Sequence, residues 1–323
     1  MTERHAPQLA PQPAQPHTSH AKSLGAGIAL GVASYTWWGM GPLYFKALTN
    51  AGSPAVLSLC HRIAWSFLVL ALFIAATRGW TSVARVLRNR RTTLALLAST
   101  ICIGINWLGF IYAVETDRVL ESSLGYFINP LFTVLLGMAF LGERLRRTQW
   151  LSVALATCGV VWLTITRGGL PWIAIVLPVS FGLYSLIRKR TDVGPVIGLF
   201  VETALLAPLA LAWIAWAHTR PEAGPAGINA PSTLALLSFA GVMTAVPLVF
   251  FAAAAQRLPL STLGFLQYIN PTIQLITATL LFNETLDADR LIAFVLIWIG
   301  LAIFIADLAT RTARRPKDTS APA

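Results

Sequence analysis

Long apolar segments with almost no charge recur along nearly the whole chain, and they restrict its fold more than any other feature. A membrane-spanning helix needs about 20 mostly apolar residues to cross about 30 Å of hydrocarbon. The segments that meet this requirement are residues 25–46, 55–77, 93–113, 119–141, 149–166, 170–187, 194–217, 233–256, 260–282 and 290–308. Only 11% of the 323 residues are charged, whereas soluble domains carry about 25%. A soluble fold and a disordered chain are both excluded, because disorder requires high charge and low hydrophobicity.

The spacing of the apolar residues separates the two architectures that can span a membrane. Strands of a membrane barrel alternate apolar and polar residues over about 10 positions. The run from Leu205 to Trp216 is instead apolar on every face, which is typical of a helix surrounded by protein or lipid. The sequence therefore predicts an all-α membrane protein with ten transmembrane helices.

The two ends of the chain differ from these segments in composition. Residues 1–24 are rich in Pro, Gln, His and Ala and lack an apolar core, so they are expected to form a disordered N-terminal tail. Residues 309–323 are expected to form a short polar tail. No cleavable signal peptide fits, because the first apolar segment is too long and lacks a clear small-residue cleavage site. The connections are brief, so no separate soluble catalytic domain is expected.

The basic residues predict how the helices are oriented. The net charge is +11, with 24 Lys and Arg residues. If the helices alternate from a cytoplasmic N-terminus, the outer connections carry only Arg118, Arg167, Arg220 and Arg290. Nearly all other cations then face the cytoplasm, as the positive-inside rule requires. Both termini are therefore expected in the cytoplasm, and the basic loops are expected to contact anionic lipid rather than nucleic acid.

The chain also repeats itself at an offset of 141 residues. The pairs that share this offset are Gly41 and Gly182, Pro54 and Pro195, Ile128-Asn129-Pro130 and Ile269-Asn270-Pro271, Glu143 and Glu284, and Gly159 and Gly300. Residues 25–166 and 167–308 would each hold five helices, and because five is odd the second half must be inverted. Inverted repeats are the architecture of many secondary transporters. The alternative is a duplicated fold that no longer transports.

Two Asn-Pro pairs lie near the middle of the fourth and ninth predicted helices. Pro130 and Pro271 are expected to break these helices, because proline donates no amide hydrogen and frees the carbonyls of Tyr126 and Gln267. Free carbonyls are tolerated at this depth where protein or a water-lined cavity satisfies them. The residues expected to line a pathway are Asn129, Asn270, Tyr126, Gln267 and Tyr268. The alternative is a pair of packing kinks capped by the Asn side chains.

Two charged side chains lie deep in predicted helices and are the main site candidates. Arg62 lies about 12 Å along its helix, and Glu202 is the repeat equivalent of His61. A charge this deep costs at least about 2.5 kcal/mol and usually pairs or lines a cavity. We expect Arg62 and Glu202 to converge on a central cavity, where Arg62 binds an anionic or polar substrate group and Glu202 carries a proton. The alternative is a structural Arg–Glu pair. His61 and Trp107 are further pathway candidates, although Trp107 also fits a membrane interface belt.

Motifs of several enzyme classes are absent from the sequence. There is no G-x-x-x-x-G-K-[ST] loop, no HExxH and no G-x-S-x-G, so no nucleotide motor, zinc-protease site or hydrolase elbow is expected. Only one histidine, His61, lies in a predicted helix. No metal site, no cofactor and no enzymatic activity are therefore expected.

Several stretches carry a family resemblance. They are YFK at residues 44–46, HRIAWS at 61–66, NW at 106–107, SLGYFINPL at 123–131, LGER at 141–144 and LGFLQYINPT at 263–272. Together they resemble the RarD branch of the EamA family, within the drug/metabolite transporter superfamily, over residues 24–308. The resemblance implies ten helices in two inverted five-helix EamA-type repeats. It also implies a small-molecule permease or exporter of the bacterial cytoplasmic membrane, and it supplies neither catalytic residues nor a substrate.

These features favour one function and leave two others open. The favoured function is a multi-pass secondary transporter that moves a small metabolite or drug by alternating access. The alternative is a membrane receptor or accessory subunit with a transporter-like bundle and no net flux. The third hypothesis is an intramembrane enzyme, for which these residues supply no recognisable nucleophile and base. The expected partners are a small-molecule substrate and the lipid bilayer, while coupling to protons or a counter-substrate, and a homodimer, are left open.

Overall fold

Every part of the chain that the structure describes is built from α-helices and short connections. The computed structural model describes residues 18–116, 118–166, 168, 170–219, 230–281 and 287–314. The helices are α1 (Thr18–Gly39), α2 (Gly41–Asn50), α3 (Ala55–Ala76), α4 (Trp80–Arg88), α5 (Arg90–Glu115), α6 (Val119–Leu141), α7 (Arg147–Thr166), α8 (Trp172–Arg190), α9 (Pro195–His218), α10 (Pro231–Arg257), α11 (Leu260–Gln267), α12 (Ile269–Leu281) and α13 (Ala288–Arg314).

Eight of these helices are long and apolar enough to cross a membrane. They are α3, α5, α6, α7, α8, α9, α10 and α13, and each coincides with one predicted segment. The expectation of an all-helical fold with several membrane spans is therefore confirmed. The two remaining predicted segments, residues 25–46 and 260–282, are each divided between two helices.

The first predicted segment, residues 25–46, is divided at Met40. α1 ends before this residue, and α2 begins after it with Pro42 in its first turn. Proline has no amide hydrogen to continue α1, but it fits the first turn of a new helix, where the amides have no helical partner anyway. Gly39 allows close packing here, because a Cβ at this position would lie 2.7 Å from Cβ of Ile273 in α12.

The ninth predicted segment, residues 260–282, is divided at Tyr268, between α11 and α12. Pro271 lies in the first turn of α12, next to this break. The expectation for Pro130 is wrong, because α6 continues through it without interruption. Membrane helices tolerate an interior proline where a neighbouring helix surrounds the disturbed turn. α11 provides this neighbour, since a Cβ at Gly264 would lie 2.7 Å from the backbone oxygen of Pro130.

The chain ends differ in part from the predicted tails. Of the expected disordered residues 1–24, residues 1–17 lie outside the described part of the chain, and residues 18–24 form the first turns of α1. Residues 309–314 continue α13 as helix, and residues 315–323 again lie outside the described part. One short helix was not predicted: α4 connects α3 to α5 and packs against α5 and α9.

The two halves of the chain pack through equivalent helices. α7 packs along α13, α3 along α9, and α6 along α11. The contact between α7 and α13 is reciprocal. A Cβ at Gly159 would lie 2.8 Å from the backbone oxygen of Ala293, and a Cβ at Gly300 would lie 2.8 Å from that of Ser152. Small residues at such positions allow helix backbones in a membrane to approach closely.

Gly159→Ala is expected to lower the melting temperature of the purified protein in detergent. The new methyl group would collide with the backbone oxygen of Ala293, which cannot move without displacing α13, and overpacking of this kind costs about 1–3 kcal/mol. The matched control is Gly104→Ala, where the nearest atom, Cδ2 of Leu206, lies 3.8 Å away. Because alanine favours helix by up to about 1 kcal/mol, the control should be neutral or stabilising. Equal melting temperatures for both variants would contradict the close α7–α13 packing.

Candidate functional site

A cavity of about 650 Å³ lies between the two halves of the chain. This volume is in the range of small-molecule sites. The cavity extends to the end of the bundle where α2 ends and α13 begins, near Thr49 and Arg290. We call this the mouth end, and we call the opposite end, where α11 begins, the closed end. The sequence-predicted residues that line the cavity are Arg62, Trp107, Tyr126, Asn129, Gln267, Asn270 and Pro271.

Arg62 extends from α3 to the cavity wall and contacts residues of both halves. Its Nε donates a hydrogen bond to Oγ1 of Thr244 in α10 at 2.9 Å. Its Cζ lies over the rings of Phe45 and Trp107, 5.2 and 5.5 Å from their centroids. Cation–π contacts stabilise a guanidinium by about 0.5–2 kcal/mol but do not neutralise it. In the described part of the chain no carboxylate forms an ion pair with Arg62, so its charge is uncompensated there.

Two amide side chains on the cavity wall have an oxygen without a hydrogen-bond donor. Oδ1 of Asn129 and Oε1 of Gln267 are buried and have no partner among the described residues. The two residues are only 3% and 4% exposed. Asn270 differs, because its Oδ1 accepts a hydrogen bond from Nε2 of Gln274 at 2.8 Å. A buried acceptor left without a donor costs about 1–3 kcal/mol. The wall of the cavity therefore contains two amide oxygens that lack a hydrogen-bond donor among the described residues.

Aromatic rings separate the cavity from the closed end. Trp38 and Phe181 line the cavity, and their ring centroids are 5.9 Å apart. Phe251 packs against both at 5.8 and 5.1 Å. Tyr35 and Tyr184 pack on Phe251, and all three are buried away from the cavity wall. These five residues form a layer that we call the aromatic floor.

Hydrogen bonds join the two halves of the chain at the closed end. The carboxylate of Glu143, which follows α6, accepts hydrogen bonds from the backbone N–H groups of Leu260 at 2.6 Å and Ser261 at 2.9 Å. Glu143 thus caps the N-terminus of α11, where unpaired amides and the helix dipole favour an anion. In the same region, Arg190 of α8 donates to the backbone oxygen of Phe140. The closed end is therefore sealed by polar contacts between the halves as well as by the aromatic floor.

Glu202 does not line the cavity and lies against the far side of the aromatic floor. Its Oε2 accepts a hydrogen bond from the hydroxyl of Tyr184 at 3.4 Å, and its Oε1 accepts one from Oγ of Ser99 at 2.5 Å. Oε1 also lies 3.6 Å from Nε of Arg188, and the two side chains are 1% and 0% exposed. The expected convergence of Arg62 and Glu202 on one cavity is therefore wrong, because a different buried cation forms the ion pair with Glu202.

Two more residues expected in the pathway, His61 and Tyr268, lie outside the cavity wall, as does the proline that was expected to break its helix, Pro130. Nε2 of His61 is buried without a partner among the described residues. Tyr268 is buried, and its hydroxyl donates to the backbone oxygen of Phe127 at 3.3 Å. Tyr268 and Phe127 are repeat equivalents at the 141-residue offset, so two equivalent positions contact each other.

The basic run from Arg188 to Arg190 predicts a cytoplasmic connection. From the sequence, its first residue cannot be distinguished from the other two, although its role in the structure is different. Arg188 is fully buried in the last turn of α8. Its guanidinium lies against Gly198 of α9, where a Cβ would be 1.9 Å from Nη1. In the sequence, the glycine at position 198, near the start of an apolar helix, is the local feature that indicates close packing of a large side chain from another helix.

Comparison with known proteins decides to which family this arrangement belongs. The model of the EamA-like transporter family matches residues 25–165 and 169–306. The chain belongs to the EamA-like transporter family. This EamA protein lies on the RarD branch: Protein RarD of Salmonella typhimurium is 45% identical over 287 residues, which cover 89% of this chain and 97% of that protein. An uncharacterized transporter of Vibrio cholerae is 44% identical over 293 residues, covering 90% and 96%. The chloramphenicol-sensitive protein RarD of Pseudomonas aeruginosa is 30% identical over 286 residues, covering 86% and 93%.

A solved crystal structure shares the fold of this EamA protein. It superposes with a TM-score of 0.63 at 21% sequence identity, and the match covers 93% of this chain and 100% of that one. Family membership and the apolar helices together make the EamA protein a multi-pass membrane transporter. The resemblance to the RarD branch is confirmed, and the family and the Vibrio cholerae relative are named as transporters rather than enzymes.

Proposed function

We propose that this EamA protein is a secondary transporter, a permease or exporter of a small metabolite or drug, that works by alternating access in the bacterial cytoplasmic membrane. The observation that carries the proposal is the cavity between the halves, which reaches the mouth end and is sealed at the other. A transporter of this kind exposes one midplane site to the two sides of the membrane in turn. Because the sequence carries no nucleotide-binding loop, a proton gradient or exchange would drive transport.

The cations support a cytoplasmic position for the closed end. α4 and the last turns of α8 and α10 lie at this end and carry a series of basic residues. Their basic residues are Arg85, Arg88, Arg188, Lys189, Arg190 and Arg257. Under the positive-inside rule such connections face the cytoplasm. In the proposed orientation both termini are cytoplasmic and the cavity faces outward.

Ten membrane crossings in two inverted halves complete the proposal. α1 with α2, and α11 with α12, would each supply one crossing in addition to the eight long helices, and the halves would be residues 25–166 and 167–308. Two contacts support a two-fold axis between the halves. Tyr268 contacts its own repeat equivalent Phe127, and the close contacts of Gly159 and Gly300 are reciprocal.

This two-fold relation specifies which residues should line the cavity of the opposite state. If the halves exchange conformations, the repeat equivalent of each wall residue becomes accessible from the closed end. Gln274 lines the present cavity, and its equivalent, Thr133, is only 1% exposed. Opening the closed end requires the carboxylate of Glu143 to leave the backbone of Leu260 and Ser261.

Labelling with a membrane-impermeant thiol reagent tests this alternation. We expect Gln274→Cys to react from outside in intact cells, and Thr133→Cys to react only from the cytoplasmic side in inside-out vesicles. Glu143→Ala removes two hydrogen bonds to a carboxylate, each worth about 1.5–3 kcal/mol. It is therefore expected to raise the labelling rate of Thr133→Cys at least about tenfold. The native thiols, replaced by serine in the background, are Cys60, Cys102 and Cys158.

The matched control for Glu143→Ala is Glu121→Ala. Glu121 lies at the mouth end, where it pairs with Arg118 at 2.7 Å, so its loss should not change the labelling of Thr133→Cys. Labelling of Thr133→Cys from outside would contradict the proposed geometry. No labelling from the cytoplasmic side even with Glu143→Ala would contradict alternating access and favour a receptor or accessory subunit.

A further inference from the structure

The charges on the cavity wall have one sign. Lys46, Arg62 and Arg290 line the cavity, and no acidic residue does so in the described part of the chain. Arg290 lies near the mouth, where its Nε is 3.5 Å from the carboxylate of Asp287 and the side chain is 28% exposed. The deep part of the cavity therefore has a positive charge that comes from Arg62.

The surroundings of Arg62 hold its guanidinium in place without neutralising it. In the described part of the chain its one hydrogen bond runs from Nε to the hydroxyl of Thr244. The rings of Phe45 and Trp107 lie 5.2 and 5.5 Å from Cζ, and the hydrogen bond to Thr244 uses Nε rather than either Nη group. A guanidinium with free Nη groups is suited to a planar, two-oxygen anion such as a carboxylate.

The amide oxygens on the same wall select a second chemical group. Oδ1 of Asn129 and Oε1 of Gln267 can only accept hydrogen bonds, and both lack a donor among the described residues. An anion alone cannot satisfy them, because it is itself an acceptor. A molecule with an N–H or O–H group beside its anionic group satisfies Arg62 and these oxygens together.

We propose that the cavity binds an organic anion that also carries an N–H or O–H donor. Its carboxylate or similar oxyanion lies on Arg62, and its donor lies on Asn129 or Gln267. Its apolar body packs on the aromatic rings of Trp38 and Phe181, which line the same cavity. This inference rests on the proposed transport function, for which it names the substrate class. Cationic molecules are disfavoured, because they would bring a second positive charge next to an uncompensated one.

Four probes of matched shape separate these chemical requirements. 3-Phenyllactate carries the anion and the donor, and 3-phenylpropanoate carries the anion alone. 3-Phenylpropanamide is neutral and 3-phenylpropylamine is cationic. We expect the two carboxylates to raise the melting temperature of the purified protein in a saturable manner. 3-Phenyllactate should bind about 3- to 10-fold more tightly than 3-phenylpropanoate, and the amide and the amine should not stabilise the protein at ten times the concentration.

Arg62→Gln is expected to weaken binding of both carboxylates about 10- to 100-fold, while Arg62→Lys retains part of it. The matched control is Arg118→Gln, which removes a cation outside the cavity wall. If Arg62→Gln does not fold, the relative affinities of the four probes for the unmodified protein still show whether the site prefers anions.

Each outcome of this experiment decides the proposal. Stabilisation by the amine or the amide equal to that by the carboxylates, unchanged carboxylate binding in Arg62→Gln, or no carboxylate binding overturns the anion class. Equal binding of the two carboxylates overturns the donor group. The outcome is also independent of transport: carboxylate binding without alternating thiol labelling would overturn the proposed function, and labelling that alternates without carboxylate binding would overturn only this inference.

Discussion

Replacing Arg188 by leucine is expected to lower the free energy of unfolding by about 3–5 kcal/mol, because the substitution leaves a buried carboxylate without its cation. Glu202 is 1% exposed and would keep only the hydroxyls of Ser99 and Tyr184 as partners. Glu202→Leu should destabilise to a similar extent, since it leaves Arg188 buried and unpaired. Both effects are measured as melting temperatures of the purified protein in detergent.

The double variant Arg188→Leu/Glu202→Leu is the decisive comparison. Removing both members of a buried ion pair is often neutral or stabilising, so the double variant should regain most of the stability that each single variant loses. Arg190→Leu, in the same turn of α8, serves as the control, because it removes only a hydrogen bond to the backbone oxygen of Phe140. If the single variants have the same melting temperature as the unmodified protein, the pair does not stabilise the fold.

The location of this ion pair decides its role. Arg188 and Glu202 belong to α8 and α9, both in the second half of the chain, and Tyr184 of the aromatic floor contacts Glu202 from the cavity side. In the proposed alternating-access mechanism, the pair can therefore stay intact while the halves move relative to each other. Only the hydrogen bond from Ser99 of α5 crosses between the halves. The geometry assigns the pair to the internal stability of the second half rather than to substrate binding.

The apolar segments predicted the helices well because length and hydrophobicity suffice for a continuous membrane helix. The helix breaks at Met40 and Tyr268 were harder to predict from the sequence. Pro130 and Pro271 have the same Asn-Pro sequence, yet α6 continues through Pro130 while a break lies beside Pro271. Local sequence cannot distinguish the two, because the neighbouring helices decide whether a disturbed turn is tolerated.

The polar wall of the cavity was predictable because polar side chains are rare inside apolar helices and cost free energy there. Arg62, Asn129 and Gln267 stand out in the sequence for this reason. The aromatic floor could not be predicted, because a tryptophan in an apolar segment can lie inside or outside the bundle. Trp38 lines the cavity, whereas Trp162 is exposed on the outside.

The error over Glu202 has a specific cause. The 141-residue offset makes Glu202 the equivalent of His61, but equivalence under a repeat means similar surroundings in opposite halves rather than contact. In the proposed two-fold arrangement, contact between equivalents occurs only near the axis, where Phe127 and Tyr268 would lie. The true partner of Glu202, Arg188, is at the end of the preceding helix, and nothing in the repeat indicates it.

Arg62→Gln is expected to reduce transport at least about tenfold while leaving the melting temperature unchanged or higher. The substitution removes the cation that the proposed anion requires. It also removes an uncompensated charge that is half-buried in the bundle, whose partial desolvation opposes folding, and the hydroxyl of Thr244 can still bond to the new amide. The substrate is first identified in cells, as the metabolite whose distribution between medium and cytoplasm changes most when the gene is deleted or overexpressed. Transport is then measured in proteoliposomes as saturable flux of that metabolite.

This combination of lost activity and retained stability separates Arg62, which lines the cavity, from the fully buried Arg188. A residue that serves only the fold loses stability when it is replaced, as expected for Arg188, whereas a binding residue is retained in spite of a folding cost. Arg62→Lys should keep partial flux, because it preserves the charge without the planar fork, and Arg118→Gln should keep full flux. Full flux in a correctly inserted Arg62→Gln variant would remove Arg62 from the binding site. Loss of flux together with a lower melting temperature would assign it the same structural role as Arg188.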